Sequence, residues 1–199
     1  MIAAEDAARA NLYGLIARLF YAPPDAPLLS QLLQAGPMAL EAERNAQAEA
    51  LAAAWSEMLE ASRGADPQAL ENEHTELFVG TGKSLVTPYL SYYVRRHSND
   101  NPLVDLRALL GRWGIARREG VAEYEDHISG VCETMRFVIA VQQRNPEEQQ
   151  VFFERFVYPG AAAFCDALSA LNQARFYRLV ARFARAFFEI EKSAFEIAG

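Results

Sequence analysis

Residues 73–94 read Glu-His-Thr-Glu-Leu-Phe-Val-Gly-Thr-Gly-Lys-Ser-Leu-Val-Thr-Pro-Tyr-Leu-Ser-Tyr-Tyr-Val, and the interpretation of this stretch decides that of the whole chain. It begins inside a helical pattern that breaks at Gly80, and a short glycine-containing loop follows. The chain resumes at Thr87-Pro88, with three tyrosines in the five residues 89–93. Two glycines, a proline suited to start a helix and this aromatic surface indicate a binding edge rather than a simple connector.

The same stretch contains Gly-Thr-Gly-Lys-Ser at 80–84, which suggests a nucleotide-binding loop. That motif needs Gly-x4-Gly-Lys-Ser/Thr between a strand and a helix, so that backbone amides surround a phosphate. Aligning Gly82-Lys83-Ser84 with the end of the motif puts Leu77 where the first glycine must stand. Leu77 also belongs to the apolar stripe of a helix, so the preceding strand is missing as well. We therefore reject a phosphate-binding loop.

Composition indicates a soluble and mostly helical protein. The chain of 199 residues is 51% apolar and 23% charged, which is typical of a globular domain with a full core. Alanine is abundant and β-branched residues are few, which favours helix. The net charge of −7 argues against nucleic acid, whose phosphates need a basic face, and is compatible with a cationic partner.

The cysteines and the N-terminus bear on location. Cys132 and Cys165 match no metal or redox spacing, and their apolar surroundings predict buried free thiols, which suits a reducing cytoplasm. The opening residues Met-Ile-Ala-Ala-Glu-Asp have no basic region followed by an apolar run, so we expect no export signal. No apolar stretch approaches the roughly 20 residues of a membrane span, so we expect no stable membrane insertion.

Helix signals recur along the whole chain. A capping side chain followed by a first-turn proline predicts helix starts at Asp66-Pro67, Thr87-Pro88, Asn101-Pro102 and Asn145-Pro146, and Tyr158-Pro159 marks a further boundary. Apolar residues three and four apart predict helices between these points and no strand of useful length. The sequence therefore predicts an all-α fold, a single helical bundle of about nine or ten helices.

The predicted bundle is one domain, 1–199, with a flexible point inside it. Its N-terminal part is 1–113, a connector with two glycines at 114–124 forms a hinge, and the C-terminal part is 125–199. A long helix is expected to follow the hinge, from about Tyr124 to Arg144. Such a hinge permits helix exchange between chains, so a monomer and a domain-swapped dimer both stay open.

Two clusters each allow a structural and a functional interpretation. Residues 123–127, Glu-Tyr-Glu-Asp-His, open the expected long helix, where acidic side chains suit the helix dipole. Capping is the commoner role for such residues, but the same carboxylates suit a cationic ligand. Tyr89, Tyr92 and Tyr93 have the spacing of a buried helical stripe, and beside a glycine-containing loop they can instead line a groove.

Metal and nucleophile chemistry find little support in the sequence. Glu71 and His74 form one Glu-x-x-His half-motif of the kind found in carboxylate-bridged metal bundles. A second copy is missing, because Tyr124 stands three positions before His127. His74, His97 and His127 stand in no recognisable relation to a nucleophile elbow. The residues indicate neither an enzyme nor a cofactor, and a metalloprotein using Glu71, His74 and His127 stays as an alternative.

Several motifs together resemble the TorD/DmsD family of redox-enzyme chaperones, which are relatives of NarJ. Glu73-x3-Leu77-Phe78-Val79-Gly80, followed by Pro88-Tyr89-x-Ser91-x-Tyr93, resembles the hallmark stretch of the family. Glu123-x2-Asp126-His127 resembles its hinge motif, Leu12-Tyr13-x-Leu15-x3-Leu19-Phe20 its first helix, and Ala174-Arg175-Phe176-Tyr177 the start of its last helix. The resemblance extends over nearly the whole chain.

The resemblance implies an all-helical, non-enzymatic, cytoplasmic chaperone without a cofactor. Such a protein binds the twin-arginine signal peptide and the apo-form of a molybdopterin-dependent oxidoreductase, aids cofactor insertion and holds back export until folding is complete. A twin-arginine peptide offers two guanidiniums followed by an apolar segment. Its receptor therefore needs carboxylates beside an apolar groove. The implied peptide-binding residues are Glu73, Glu123 and Asp126 for the arginines, Leu77, Phe78, Pro88, Tyr89 and Tyr93 for the groove, His127 for orienting a carboxylate or sensing pH, and His74, Gly80 and Ser91 within the same motifs.

The resemblance leaves the client open among formate dehydrogenase, S- or N-oxide reductase and nitrate reductase. Besides the metalloprotein, a generic helical scaffold without a peptide groove is the second alternative to the chaperone. About 40 residues separate the hallmark stretch from the Asp126-His127 corner, so whether the two meet in space is a question for the structure.

Overall fold

A computed structural model describes residues 2–38, 45–80, 84–95 and 101–198. Its α-helices are α1 (Ala4–Tyr21), α2 (Ala26–Ala35), α3 (Ala46–Arg63), α4 (Pro67–His74), α5 (Ser91–Val94), α6 (Pro102–Arg112), α7 (Ile128–Ala140), α8 (Pro146–Phe152), α9 (Tyr158–Ser169) and α10 (Phe176–Ala198). Two short π-helical segments, Thr75–Val79 and Phe153–Val157, continue α4 and α8. Within these ranges there is no strand, and the all-α prediction is confirmed. Gly82, Lys83 and His97 lie outside the described residues.

The cap-plus-proline signal places two helix starts correctly. The Asp66 carboxylate accepts a hydrogen bond from the Gln68 amide at 3.1 Å, and the Asn145 side chain accepts one from the Glu148 amide at 2.8 Å. Each bond satisfies a first-turn amide that has no partner within its helix. α6 also begins at a proline, but the Asn101 side chain makes no capping hydrogen bond, so that part of the prediction is wrong.

The helix starts predicted at Thr87-Pro88 and near Tyr124 are wrong, because both segments make other contacts there. Thr87-Pro88 opens no helix, since α5 begins only at Ser91. The Pro88 carbonyl instead accepts a hydrogen bond from the Ile128 amide at 2.9 Å. The helix expected from Tyr124 begins at Ile128, where the side chain of His127 caps it. The acidic residues of the 123–127 cluster therefore precede the helix, and their predicted role in its first turn is wrong.

The boundary predicted at Tyr158-Pro159 is also wrong, because the chain stays helical from α8 through the π-helical segment into α9. In an ideal α-helix a proline ring clashes with the carbonyl four residues earlier, and proline has no amide hydrogen to donate. The turn just before Pro159 is wider, with the Tyr158 amide bonded to the Phe153 carbonyl five residues earlier. This wider turn accommodates the proline without ending the helix.

The chain divides into two compact units, each built from two separate stretches. The first unit contains Met1–Phe20 and Thr87–Phe164, and the second contains Tyr21–Val86 and Cys165–Gly199. The segment 114–124 lies inside the first unit, and its role as a hinge of a single domain stays a prediction. Both cysteines are buried and neither forms a disulfide, as the sequence predicts. None of the described helices is long and apolar enough to cross a bilayer.

Aromatic side chains fill the interior of the first unit. Phe20 of α1 meets the edge of Phe164 of α9 at 5.1 Å between ring centroids, and Trp113 lies 5.6 Å from Phe152 in the same measure. The three phenylalanines are at most 2% exposed. Burying such a ring contributes about 1.5–3 kcal/mol to folding.

The second unit is organised by the packing of α3 on α10. Trp55 of α3 lies 5.3 Å from Phe183 of α10 between ring centroids. Its indole nitrogen donates a hydrogen bond of 2.7 Å to the carbonyl of Gly36, just after α2. This bond ties the end of α2 to the α3–α10 pair and satisfies the polar atom of a buried ring.

Candidate functional site

A single antiparallel bridge joins the hallmark stretch to the acidic cluster in the described part of the first unit. Tyr89 stands opposite His127. The Leu90 amide donates to the Asp126 carbonyl at 2.8 Å, and the Ile128 amide donates to the Pro88 carbonyl at 2.9 Å. In this pattern the two opposed residues make no backbone bond to each other, so their side chains come close. The Pro88–Leu90 part of the stretch therefore does meet the Asp126-His127 corner. We call Tyr89 and residues 123–127 the bridge cluster.

Tyr89 is held at the centre of the bridge cluster. Its hydroxyl donates a hydrogen bond of 2.7 Å to Oε2 of Glu123, and its ring lies 5.4 Å from His127 in an edge-to-face arrangement. Burial, the bond to Glu123 and the negative charges of Glu123 and Asp126 raise the pKa of Tyr89 above its ordinary value. Tyr89 is therefore a neutral hydrogen-bond donor over the physiological pH range.

Asp126 places a carboxylate in the interior of the bridge cluster. The residue is only 5% exposed, and its Oδ1 atom makes no hydrogen bond within the described part of the chain. Its negative charge contributes to the raised pKa of Tyr89. Buried polar atoms nearly always have a partner, because desolvation without one is costly. Asp126 thus offers a strong acceptor to a donor group that the described chain does not supply at this atom.

His127 has a structural role in the cluster. It is buried, and its Nδ1 accepts a hydrogen bond from the Ser129 amide at 3.1 Å, which caps α7. An accepting Nδ1 places the proton of the neutral ring on Nε2. The predicted roles of His127 in orienting a carboxylate or sensing pH stay predictions.

Two glycines let the backbone pack closely around the bridge. A Cβ atom built on Gly160 of α9 would lie 2.7 Å from Cβ and 2.9 Å from the carbonyl oxygen of Leu90. A Cβ atom on Gly130 would lie 3.0 Å from the carbonyl oxygen of Glu125. Any side chain at Gly160 would therefore push against the segment that carries Tyr89.

The outer edge of the bridge cluster is aromatic and charged. Tyr124 is 54% exposed, and its ring lies 6.0 Å from Tyr89. Oε2 of Glu125 accepts a hydrogen bond from Nε of Arg107 at 2.9 Å and forms an ion pair with Nη2 at 2.8 Å. The Arg107 guanidinium also lies over the Tyr124 ring, 5.5 Å from its centroid. Burial raises the pKa of Glu125, but its backbone hydrogen bond and Arg107 outweigh that effect and hold the pKa below its ordinary value.

Ser91 and Tyr93 lie on the turn that follows the bridge. Ser91 is the first residue of the short helix α5. The Tyr93 hydroxyl donates a hydrogen bond of 2.8 Å to the Thr87 carbonyl, so this ring braces the loop that leads into the bridge. Tyr92, beside it, is 71% exposed. The three tyrosines do not form one helical stripe, because Tyr89 lies outside α5.

Glu73 belongs to the second unit, where it caps α10. One carboxylate oxygen accepts hydrogen bonds from the amides of Arg175 and Tyr177 at 2.8 and 2.9 Å, and the other accepts one from Phe176 at 3.2 Å. A negative charge at a helix N-terminus is favourable, and these amides have no partner within the helix. Since three amides occupy this carboxylate, we leave Glu73 out of the proposed peptide site.

The remaining predicted residues also lie in the second unit. His74 and Phe78 form an aromatic group with Tyr177, with centroid distances of 5.0–5.6 Å. Leu77 is fully buried in the π-helical segment, which agrees with the rejection of a phosphate-binding loop. Gly80 ends that segment with φ of 64°, a backbone conformation that favours glycine. The roles of His74, Leu77, Phe78 and Gly80 in peptide binding stay predictions.

A shallow cleft of about 480 Å³ in the second unit was not predicted. Polar side chains of α4 and the π-helical segment line it, together with Gly80 and Leu85, and its charged residues are Glu71 and Glu76. The described residues contain no group of three or more histidine, cysteine, aspartate or glutamate side chains that could hold a metal ion. The alternative metal site with Glu71, His74 and His127 therefore gains no support.

Comparisons with known proteins agree with this architecture. A family model described as nitrate reductase delta subunit matches residues 42–166, which is more than half of the chain. Chaperone protein TorD of Photobacterium profundum is 29% identical over 126 residues, and the match spans 58% of this chain and 58% of that protein. The crystal structure of a redox enzyme maturation protein from Archaeoglobus fulgidus superposes with a TM-score of 0.54 at 20% identity, over 92% of this chain and 93% of that one, which shows a shared fold. The chain belongs to the nitrate reductase delta subunit family, the family of the NarJ- and TorD/DmsD-type proteins.

Proposed function

We propose that this protein is a redox-enzyme maturation chaperone and has no catalytic activity of its own. Its client is the apo-form of a molybdopterin-dependent oxidoreductase, and it binds the twin-arginine signal peptide of that client in the cytoplasm. Binding aids cofactor insertion and delays export until the client has folded. Family membership and the TorD relative support the chaperone part of this proposal.

The observation that carries the peptide part is the Asp126 carboxylate. It is buried beside Tyr89, and its Oδ1 atom has no hydrogen-bond partner in the described chain. An arginine guanidinium carries five N–H donors in a rigid planar fork and remains charged when it is partly buried. Such a group supplies the donor that Asp126 lacks, and a charge-assisted bond of this kind is among the stronger hydrogen bonds in proteins.

The surroundings of Asp126 also suit a twin-arginine peptide. Glu123 and Glu125 place two more carboxylates within three residues, and the net charge of −7 favours approach of a cationic segment. The exposed rings of Tyr92 and Tyr124 offer apolar area with a polar edge for the residues after the arginines. This combination of carboxylates and exposed aromatic rings supports a peptide partner.

Calorimetry with a synthetic twin-arginine leader peptide tests the proposal, with the same peptide carrying two lysines as the comparison. We expect Asp126→Asn to weaken binding about 10- to 100-fold, because a hydrogen bond to a charged group is lost. Asp105→Asn is the matched control, since it removes the same charge from an exposed carboxylate of the first unit, one that forms an exposed ion pair with Arg155. We expect it to change affinity by less than about twofold.

Thermal unfolding separates binding from folding. Neutralising a buried carboxylate with an unsatisfied oxygen should leave the stability of Asp126→Asn unchanged or higher. Failure of the wild-type protein to bind the twin-arginine peptide would remove the peptide part of the proposal. Equal affinities of wild type and Asp126→Asn would show that the bridge cluster is not the site.

A further inference from the structure

An arginine of the same unit, Arg107 on α6, already contacts the bridge cluster. Its Nε and Nη2 atoms lie 2.9 and 2.8 Å from Oε2 of Glu125, and its guanidinium carbon lies 5.5 Å from the centroid of the Tyr124 ring. The arginine reaches this place from another part of the chain, 18 residues before Glu125. A carboxylate on one side and an aromatic face on the other are the two kinds of group that hold a guanidinium best.

The contact of Arg107 is suited to exchange. The Arg107 side chain is 44% exposed, whereas that of Glu125 is only 17% exposed. An ion pair with one exposed partner contributes little net stability, because water solvates the unpaired arginine nearly as well as the carboxylate does in the pair. The less exposed carboxylate, by contrast, retains its need for a cationic partner when the arginine leaves.

We propose that Glu125 and Tyr124 form a guanidinium subsite, that Arg107 fills it in the free protein, and that one arginine of the signal peptide displaces Arg107 on binding. The inference rests on the proposed function and adds to it an intramolecular competitor of the peptide, Arg107. Glu123 and Asp126, beside Tyr89, form the second subsite. The unpartnered Oδ1 atom of Asp126 is the independent observation that this second subsite lacks an occupant from the described chain.

Two neighbouring subsites give the protein a means of selecting paired arginines, because Arg107 fills one and no donor from the described chain reaches Oδ1 of Asp126 in the other. A peptide with a single arginine gains the contact with Asp126 but leaves Arg107 in place. A peptide with two arginines replaces Arg107 as well, and the freed Arg107 returns to water at little cost because it is already partly exposed. Lysine is a poor substitute for the displacing residue, since it lacks the planar fork and stacks less well.

Removal of the competitor should therefore strengthen binding. We expect Arg107→Gln to bind the twin-arginine peptide about 3- to 10-fold more tightly than wild type, from the exposed ion pair and ring contact that no longer have to be broken. Arg107→Lys keeps the charge but loses the bidentate and stacking geometry, so its gain should be smaller. Adding Glu125→Gln to Arg107→Gln should abolish the gain, because the subsite then lacks its carboxylate.

The experiment is calorimetric titration of these variants with the twin-arginine peptide and with two peptides in which either arginine is replaced by lysine. Arg155→Gln is the matched control: Arg155 also pairs with a carboxylate, that of Asp105, and lies 5.0 Å from the Phe156 ring. It removes the same charge from a residue of the same unit that is not part of the bridge cluster, so the affinity of this variant should stay within about twofold of wild type. The gain from Arg107→Gln should disappear for only one of the two lysine peptides, which identifies the displacing arginine.

Each outcome decides the matter. Wild-type binding with no gain in Arg107→Gln overturns the competitor and leaves the chaperone proposal intact. An equal gain in Arg155→Gln, or an equal gain with both lysine peptides, also overturns it, because general charge then explains the effect. Absence of peptide binding in wild type and in all variants overturns both this inference and the peptide part of the proposed function.

Discussion

Gly160→Ala is expected to destabilise the protein although alanine is the better helix former. The added Cβ atom would lie 2.7 Å from Cβ and 2.9 Å from the carbonyl oxygen of Leu90, both inside the normal contact distance. Neither atom is the free end of a flexible side chain, so relief requires movement of α9 or of the backbone that bonds to Asp126. Such overpacking typically costs about 1–3 kcal/mol, of which the helix propensity of alanine offsets about 0.5–1 kcal/mol.

The free energy of unfolding in urea measures this effect. The remaining net loss of about 1 kcal/mol corresponds to a fall in Tm of about 2–4 °C for a chain of this size. Gly111→Ala in α6 is the matched control, because no atom lies within 4 Å of its added Cβ. We expect that variant to be unchanged or more stable by up to about 0.5–1 kcal/mol. If Gly160→Ala is as stable as Gly111→Ala, the close approach of α9 to Leu90 is wrong.

Three other expectations concern capping, titration and thiol reactivity. Glu73→Ala should lower the free energy of unfolding by about 1–2 kcal/mol, because three amides of the α10 N-terminus lose their acceptor. Glu71→Ala is the control: it removes an exposed carboxylate of α4 and should change this free energy by less than about 0.5 kcal/mol. Absorbance titration should show a late-ionising tyrosine that is absent from Tyr89→Phe, because burial and the bond to Glu123 raise the pKa of Tyr89. Since the folded state holds this proton more tightly than the unfolded chain, whose tyrosine pKa is 10.0, the contribution of Tyr89 to stability is present below that pH and is lost as the pH rises above it. Cys132 and Cys165 should react with a thiol reagent only after unfolding, because both are buried and burial raises the pKa of Cys165; rapid reaction of either thiol in the folded protein would contradict the packing.

Local signals in the sequence were enough for the helical class and for several helix starts. Asp66 and Asn145 bond to amides two or three residues ahead, so their capping role depends only on their immediate neighbours. The apolar periodicity likewise reflects a requirement of each helix taken by itself. For these features, local preference and the final fold agree.

The bridge cluster was predictable only in part, because long-range contacts decide its geometry. Thr87-Pro88 carries the same signal as Asp66-Pro67, yet the Pro88 carbonyl accepts a hydrogen bond from the amide of Ile128, which is distant in the sequence. The resemblance to a known family identified Tyr89, Glu123 and Asp126, but no spacing in the sequence relates them to Arg107. The close approach of Leu90, which explains why a glycine stands at position 160, is seen only in the structure.

Glu73 shows how a residue can belong to a functional motif and still act structurally. Its position in the hallmark stretch suggested an arginine partner, whereas its carboxylate accepts amides from residues 175–177, about a hundred positions later in the chain. A capping partner this far away has no sequence signature, since the usual cap lies next to its helix. The sequence alone could not show that backbone amides donate to this carboxylate.

The assembly of each unit from an early and a late stretch affects how the protein folds during synthesis. α3 is complete long before α10, its partner, leaves the ribosome, and α1 belongs to a unit whose remaining residues begin at Thr87. Neither unit can close until its second stretch has been made, and contacts between distant residues form slowly because loop closure costs entropy. The apolar face of α3, with Trp55, is therefore expected to stay exposed for most of translation. A nascent or C-terminally shortened chain should be prone to aggregation, so a protein proposed to protect another during maturation passes through a vulnerable stage itself.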